Sequence, residues 1–120
     1  MIRRLAAGVV GLALAGAVPV WAHPATELYI PIGKSPGVSH VKTRIGRIQS
    51  LAAALSGLTL ATDAGPAYVA AGRATRIYLQ FADPSRANQL GSYADCKQGL
   101  MAEAFIAEDG SVPWIKVLVP

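Results

Sequence analysis

The sequence predicts a small all-β domain, a closed barrel of five or six strands with one short helix before the last two. The stretch Thr43–Phe81 consists of short apolar runs separated by Gly, Pro and Asp, which is typical of strands joined by tight turns. Within it, Thr75–Phe81 alternates strictly between apolar and polar side chains, the period of a half-buried strand. Near the end, Glu108–Ser111 separates two further apolar runs and includes a glycine, which indicates a hairpin.

The first 22 residues have the pattern of a secretory signal peptide. Met1–Arg4 is basic, Leu5–Val20 is apolar, and Ala22 provides the small residue that a cleavage site needs. A retained membrane anchor is the alternative, but the apolar run is short and is interrupted by Pro19. We therefore expect cleavage after Ala22 and a periplasmic or secreted protein without a membrane span.

The length and net charge of the chain without the leader limit its number of domains and its possible partners. Removing 22 of the 120 residues leaves 98, enough for one domain. The formal net charge falls from +4 to +2, because Arg3 and Arg4 leave with the leader. A charge this small and unclustered gives no indication of nucleic-acid binding.

The segment after the leader predicts an irregular N-terminal arm, 23–40, followed by the barrel domain, 41–120. Leu28–Ile32 alternates well enough for a short strand, which Pro31 would confine to a sheet edge. Gly33 and Pro36 then favour turns. We expect the arm to cover an open edge of the barrel. Pairing with a neighbouring molecule is the alternative.

The barrel strands are predicted from apolar periodicity. The first strand has a period that slips at Gly46, which indicates a β-bulge. In the fourth, Ile77, Leu79 and Phe81 are expected to face the core. The six predicted strands are Val41–Leu51, Leu58–Thr62, Ala67–Ala71, Thr75–Phe81, Leu100–Ala107 and Val112–Val119.

One helix is predicted between the fourth and fifth of these strands, over Asp83–Leu90. Asp83 is a good N-cap, Pro84 suits the first helical position, and Gly91 suits the end. A second short turn is predicted over Ser92–Gln98, since Ser92 and Asp95 have capping-box spacing.

This order of elements resembles small, uncharacterised periplasmic β-barrel domains and, more distantly, OB-fold barrels with a helix before the last two strands. The resemblance covers Val41–Val119 and leaves the arm unmatched. It implies a fold and says almost nothing about chemistry. Periplasmic copper and silver chaperones share an OB-type barrel, but their metal site uses several methionines, and Met101 is the only methionine left after the leader. The residues that carry the resemblance are Gly46–Ile48, Leu58–Thr62, Ala67–Gly72, Thr75–Phe81, Met101–Ile106 and Trp114–Val119.

Cys96 is the single cysteine and has two interpretations. It is a small buried apolar residue, which we favour, or it is functional, either as a reactive thiol or through a disulfide with another chain that links a dimer. Cys96 also stands where the resemblance implies an aliphatic residue, which supports burial.

The two histidines suggest a copper alternative. Cleavage after Ala22 would make His23 the N-terminal residue, whose amine and ring nitrogen are able to chelate Cu(II), with His40 as a third nitrogen. This arrangement resembles the histidine-brace copper proteins. The competing interpretation is that both histidines are solvated, which we favour, so no cofactor is expected.

Catalytic signatures are missing from the sequence, so an enzyme is not favoured. There is no nucleophile elbow, phosphate loop or paired-cysteine zinc motif. Binding is the leading hypothesis: a polar barrel face for an unknown protein or a small anionic or glycan ligand. An ordinary solvated face is the alternative. The residues predicted for this face are Arg44, Arg47, Arg73, Arg76 and Tyr78, together with Tyr68.

Overall fold

The structure, a computed structural model, describes residues 24–52 and 56–120, which form one seven-stranded sheet and two short helical turns. The α-helical turn α1 spans Pro24–Glu27, and a 3-10 turn spans Tyr93–Asp95. The strands are β1 Thr43–Ala52, β2 Gly57–Thr62, β3 Gly65–Ala70, β4 Arg76–Phe81, β5 Gln89–Gly91, β6 Met101–Phe105 and β7 Trp114–Val119. Neither helical turn of this described part has the length or hydropathy that a membrane crossing needs.

The strands are ordered β3-β2-β1-β6-β7-β4-β5, and all neighbours are antiparallel except β4 and β7. The prediction of an all-β domain is confirmed. The closed barrel of five or six strands is wrong, because the sheet has seven strands and its end strands, β3 and β5, do not pair with each other. With only three residues, β5 presents too little backbone to join the far edge. A side chain spans the seam instead: the Tyr93 hydroxyl donates a 2.6 Å hydrogen bond to the Gly57 carbonyl.

The helix predicted over Asp83–Leu90 does not form. The Asp83 carboxylate accepts hydrogen bonds from the amide and the hydroxyl of Ser85, at 2.9 and 2.8 Å, and so closes a local turn. Such side-chain bonds compete with the helix, and a helix over Asp83–Leu90 is too short to offset the cost of nucleation by itself. The chain becomes β5 at Gln89 and gains ladder bonds to β4. The second predicted turn is present in part, as the 3-10 turn after Ser92, whose amide donates to Asp95 at 2.8 Å.

The inner face of the curved sheet carries the main hydrophobic core. The prediction for β4 is confirmed, since Ile77, Leu79 and Phe81 are only 5, 6 and 8% exposed. Among the described residues no helix covers this face, and the side chains of the curled sheet pack against one another there. The other buried members of this core are Ile48, Leu58, Leu60, Val69, Cys96, Ala102, Ala104, Val112, Ile115 and Val117.

The irregularity in β1 is displaced from its predicted position. The register against β2 shifts between Ile48 and Ser50 rather than at Gly46. Gly46 has a different role: a Cβ atom there would collide with the carbonyl group of Ala61. The glycine therefore lets the end of β2 pass close over β1.

The outer face of the sheet is covered by the N-terminal arm, and no strand forms over Leu28–Ile32. Tyr78 on β4 and Trp114 on β7 form a second apolar cluster with Val38 of the arm. The arm shields these outward aromatic side chains from water. It therefore lies across a face of the sheet, and not along an edge as we expected.

Candidate binding site at the start of the first strand

An open hollow of about 520 Å³ lies beside the first residues of β1. One side is formed by Thr43–Arg47 and the other by Ala61–Ala64, the end of β2 and the turn that follows it. His40 at the end of the arm and Met101 on β6 complete the lining. The size falls within the range of small-ligand sites, roughly 300–1,000 Å³.

The hollow exists because β2 separates from β1 at this point. The two strands pair only from Arg47 to Ala52, so Thr43–Gly46 pairs with β6 alone among the described residues. The missing side chain of Gly46 allows the Ala61 carbonyl at the end of β2 to lie against it. The hollow therefore lies beside the part of β1 that has no β2 partner.

Two of the arginines predicted for the binding face meet at this hollow. Arg44 and Arg47 are both exposed. Arg44 Nη1 donates a hydrogen bond to the Thr43 carbonyl at 3.3 Å, and Arg47 Nη1 donates one to the Gly99 carbonyl at 3.0 Å. Their remaining N–H groups are accessible to a ligand. The only carboxylate among the lining residues is that of Asp63, so the two guanidinium groups leave an excess of one positive charge.

The other residues predicted for the face lie elsewhere. Arg73 is exposed in the turn between β3 and β4, and Arg76 is exposed at the start of β4. Tyr68 is 55% exposed on the edge strand β3. Tyr78 is 3% exposed beneath the arm, and its burial raises the pKa of its hydroxyl, with Arg76 opposing and Glu27 adding to the shift. The structure therefore brings together Arg44 and Arg47 and separates them from the rest.

The copper alternative depends on residues that the structure describes only in part. His40 is exposed at the rim of the hollow, with a backbone φ of 69°, and His23 lies outside the described residues. In the part of the chain that is described, no three His, Cys, Asp or Glu side chains cluster as metal ligands. The brace of His23 and His40 stays a prediction.

Cys96 is buried, as the favoured interpretation predicts, and is only 4% exposed. Burial raises the pKa of the thiol to about 11; Asp95 adds to the shift and Lys97 opposes it. A protonated, enclosed thiol is a poor nucleophile. Disulfide formation with another chain would require the core to open there, and it stays a prediction.

The sequence analysis missed a buried polar cluster that holds the arm on the sheet. Lys116 Nζ on β7 donates to Glu27 Oε1 at 2.8 Å, to the Ile30 carbonyl at 2.8 Å and to Ser35 Oγ at 3.1 Å. Glu27 is fully buried, and the Ser35 hydroxyl also donates to its Oε1 at 2.7 Å.

A second buried carboxylate, that of Glu103 on β6, holds the next part of the arm. Its Oε1 accepts from the Gly33 amide at 2.9 Å, and its Oε2 accepts from the Ser39 hydroxyl at 2.6 Å. Because Ser39 directly precedes His40, this contact also fixes the rim of the hollow. A signal for it was present in the sequence: β6 and β7 are apolar on both faces apart from one charged residue each, which is typical of strands covered on both sides.

No known protein family, curated protein or solved structure matches the chain. The fold and the hollow define it only as an open, curled all-β domain with a basic recess beside its first strand.

Proposed function

We propose that this protein is an exported, non-catalytic binding module that holds an anionic ligand in the hollow beside β1. The observation that carries the proposal is the placement of Arg44 and Arg47 around a backbone segment that lacks a β2 partner. Guanidinium groups bind carboxylates, phosphates and sulfates through paired, charge-assisted hydrogen bonds. Several of their N–H groups are accessible here, so the recess offers directed donors as well as charge.

The hydroxyl groups of the hollow support binding rather than catalysis. Thr62 Oγ1 donates to the Gly65 carbonyl at 2.6 Å, and Thr43 Oγ1 accepts from the His40 amide at 3.0 Å. Both threonines thus stabilise turns. A hydroxyl nucleophile needs a base within hydrogen-bonding reach, and these contacts involve backbone groups instead.

The anchored arm supports the proposal because it makes the rim of the hollow rigid. Ser39 is bonded to Glu103, and the amides of Val41 and Lys42 donate to the Val38 carbonyl at 3.1 and 2.8 Å. Val38 itself is buried in the outer apolar cluster. A rim that is already ordered reduces the entropy cost of binding.

The test is a calorimetric titration that compares two matched pairs of substitutions. R44Q/R47Q removes both charges from the hollow, and R73Q/R76Q removes the same charge from exposed sites outside it. Each protein is titrated with a capped glutamate-rich hexapeptide, an oligogalacturonate of similar charge, and inorganic phosphate. We expect R44Q/R47Q to weaken binding of at least one probe by roughly tenfold or more, since hydrogen bonds to charged groups contribute about 1.5–3 kcal/mol. R73Q/R76Q should remain within about twofold of the parent protein.

Equal losses in the two variants would contradict the proposal, because they would show only a response to net charge. Binding of every probe with unchanged affinity by R44Q/R47Q would contradict it as well. Export is tested separately by the intact mass of the protein recovered outside the cytoplasm, which should correspond to a chain that begins at His23.

A further inference from the structure

We infer that the ligand of this hollow is an acidic segment of extended polypeptide, which adds as a strand to Thr43–Gly46. The inference rests on the proposed function and names the class of its ligand. An exposed strand edge recruits another strand through main-chain hydrogen bonds, while side-chain pockets give specificity. Both requirements are met here, by a four-residue edge and by the arginines beside it.

The hydrogen bonds of β1 show which backbone groups face the hollow. Lys42 accepts from the Ile106 amide at 3.0 Å, and the Ile48 amide donates to the Leu100 carbonyl at 2.8 Å, so even-numbered residues are directed to the β6 side. Successive residues of a strand point their amide and carbonyl groups to opposite sides. The backbone groups of Thr43 and Ile45 are therefore directed away from β6, into the hollow. The Thr43 carbonyl confirms this direction, because it is met there by the Arg44 guanidinium.

The arginines stand on opposite faces of this edge. Arg44 pairs with Ala104, which belongs to the core, so Arg44 lies on the inner face of the sheet. Arg47 pairs with Met101, which lies on the outer face of β6, so Arg47 lies on the outer face. A strand added along the edge would have side chains on both faces as well. Carboxylates on each face would then meet one guanidinium each, which selects an acidic segment.

One of the two edge strands of the sheet, β3, offers less. The edge strand β3 is longer, but it carries no charged side chain, and Pro66 removes one backbone donor from it. It provides neither charge complementarity nor a continuous row of donors. At the edge of β1, by contrast, the backbone groups of Ile45 are directed away from β6 and lie beside two positive charges.

The test uses the capped hexapeptide Val-Glu-Glu-Val-Glu-Glu, whose carboxylates fall on both faces of an extended strand, in three forms. One is unmodified, one carries three N-methyl groups on alternate amides, and one carries three on consecutive amides. Alternate methylation leaves one edge of the peptide able to pair, whereas consecutive methylation blocks both edges; composition and charge are matched. We expect the first two forms to bind within about threefold of each other and the third to bind at least tenfold more weakly.

Hydrogen exchange of the protein gives an independent measurement. The unmodified peptide should slow exchange of the Ile45 amide by at least about tenfold while leaving the Gly46 amide, which already faces β6, unchanged. Equal affinity for both methylated peptides, or no protection at Ile45, would overturn strand addition. The proposed function would survive that result if R44Q/R47Q still weakened binding of an anion. It would fail together with the inference if R44Q/R47Q bound every probe as tightly as the parent protein.

Discussion

Lys116 Nζ lies 2.8 Å from Glu27 Oε1, although 89 residues separate the two in the chain, and the side chains are only 2% and 0% exposed. This buried pair joins the first turn after the leader to the last strand of the sheet. Taking two charges out of water is costly, so such a pair persists only where further hydrogen bonds satisfy it. Ile30 and Ser35 supply those bonds to the Lys116 ammonium, whereas Glu27 Oε2 is buried with no hydrogen-bond partner among the described residues. The pair fixes the arm in place and, through the arm, the rim of the basic hollow.

Removing one partner of this pair should destabilise the protein strongly. Glu27→Gln leaves the Lys116 ammonium buried without its counter-charge, and we expect the free energy of unfolding in urea to fall by about 3–5 kcal/mol. The double change Glu27→Leu with Lys116→Met should recover most of that loss, because it removes both charges. Lys97→Met, on the exposed surface, is the control and should stay within about 0.5 kcal/mol. A cost below 1 kcal/mol for Glu27→Gln would show that the arm is not held in this way.

The crossing at Gly46 should not tolerate a side chain. Gly46→Ala places a methyl group against the Ala61 carbonyl, a backbone atom that has no rotamer to change. We expect a loss of about 1–3 kcal/mol in denaturant unfolding and weaker binding of anions, since the wall of the hollow must move. Gly72→Ala is the matched control: its nearest neighbour is Thr75 Oγ1 at 3.8 Å, so it should be nearly neutral. Equal stability of both variants would contradict the close crossing.

The seam between the ends of the sheet should be weakened by loss of one hydroxyl. Tyr93→Phe removes the 2.6 Å hydrogen bond to the Gly57 carbonyl and should cost about 0.5–1.5 kcal/mol of unfolding free energy. Faster exchange of amides in β2 and β5 should accompany it. Tyr29→Phe, at a side chain that is 71% exposed, makes the same chemical change without a seam contact and should have no effect. Identical unfolding curves for the two variants would remove the seam from the account.

Alkaline pH should destabilise the protein partly through Cys96. Burial raises the pKa of its thiol from 9.0 to about 11, so below pH 9 the thiol is protonated in both folded and unfolded chains. Between pH 9 and 11 only the unfolded chain releases this proton, and the free energy of unfolding should therefore fall as the pH rises. The tyrosines Tyr78 and Tyr93 shift in the same direction, so the measurement is the difference between the protein and Cys96→Ala across this window. Parallel pH curves would contradict a buried thiol.

Much of the sheet follows from local sequence pattern. The alternation of Ile77, Leu79 and Phe81 predicts their burial, because a strand directs every second side chain to one face. The strand order does not follow from it. β4 and β7 pair in parallel from Arg76↔Trp114 to Phe81↔Val119, a non-local contact that period-two alternation does not encode.

The errors have local physical causes. Asp83-Pro84 is typical of a helix start. The Asp83 carboxylate instead accepts a hydrogen bond from the Ser85 amide, and the chain pairs with β4 from Gln89 onwards. Lys116 and Glu103 are buried at outward strand positions because the arm covers that face, and the apolar residues on both faces of β6 and β7 are the sequence signal for such a cover.

The role of Arg44 and Arg47 in ligand binding stays a prediction. Arg44 and Arg47 were singled out as ligand-binding residues, and both line the hollow. Their separation from Arg73 and Arg76 depends on which strands pair and on where β2 leaves β1. A contact between distant backbone segments has no signature in residue periodicity.

The most direct test of binding in the hollow is an NMR titration of the isotope-labelled protein with the glutamate-rich hexapeptide. The account predicts that amide shifts cluster at Thr43–Arg47 and Ala61–Ala64, saturate with the ligand, and vanish in R44Q/R47Q. Shifts centred on Arg73 and Arg76, or spread over every exposed cation, would contradict it.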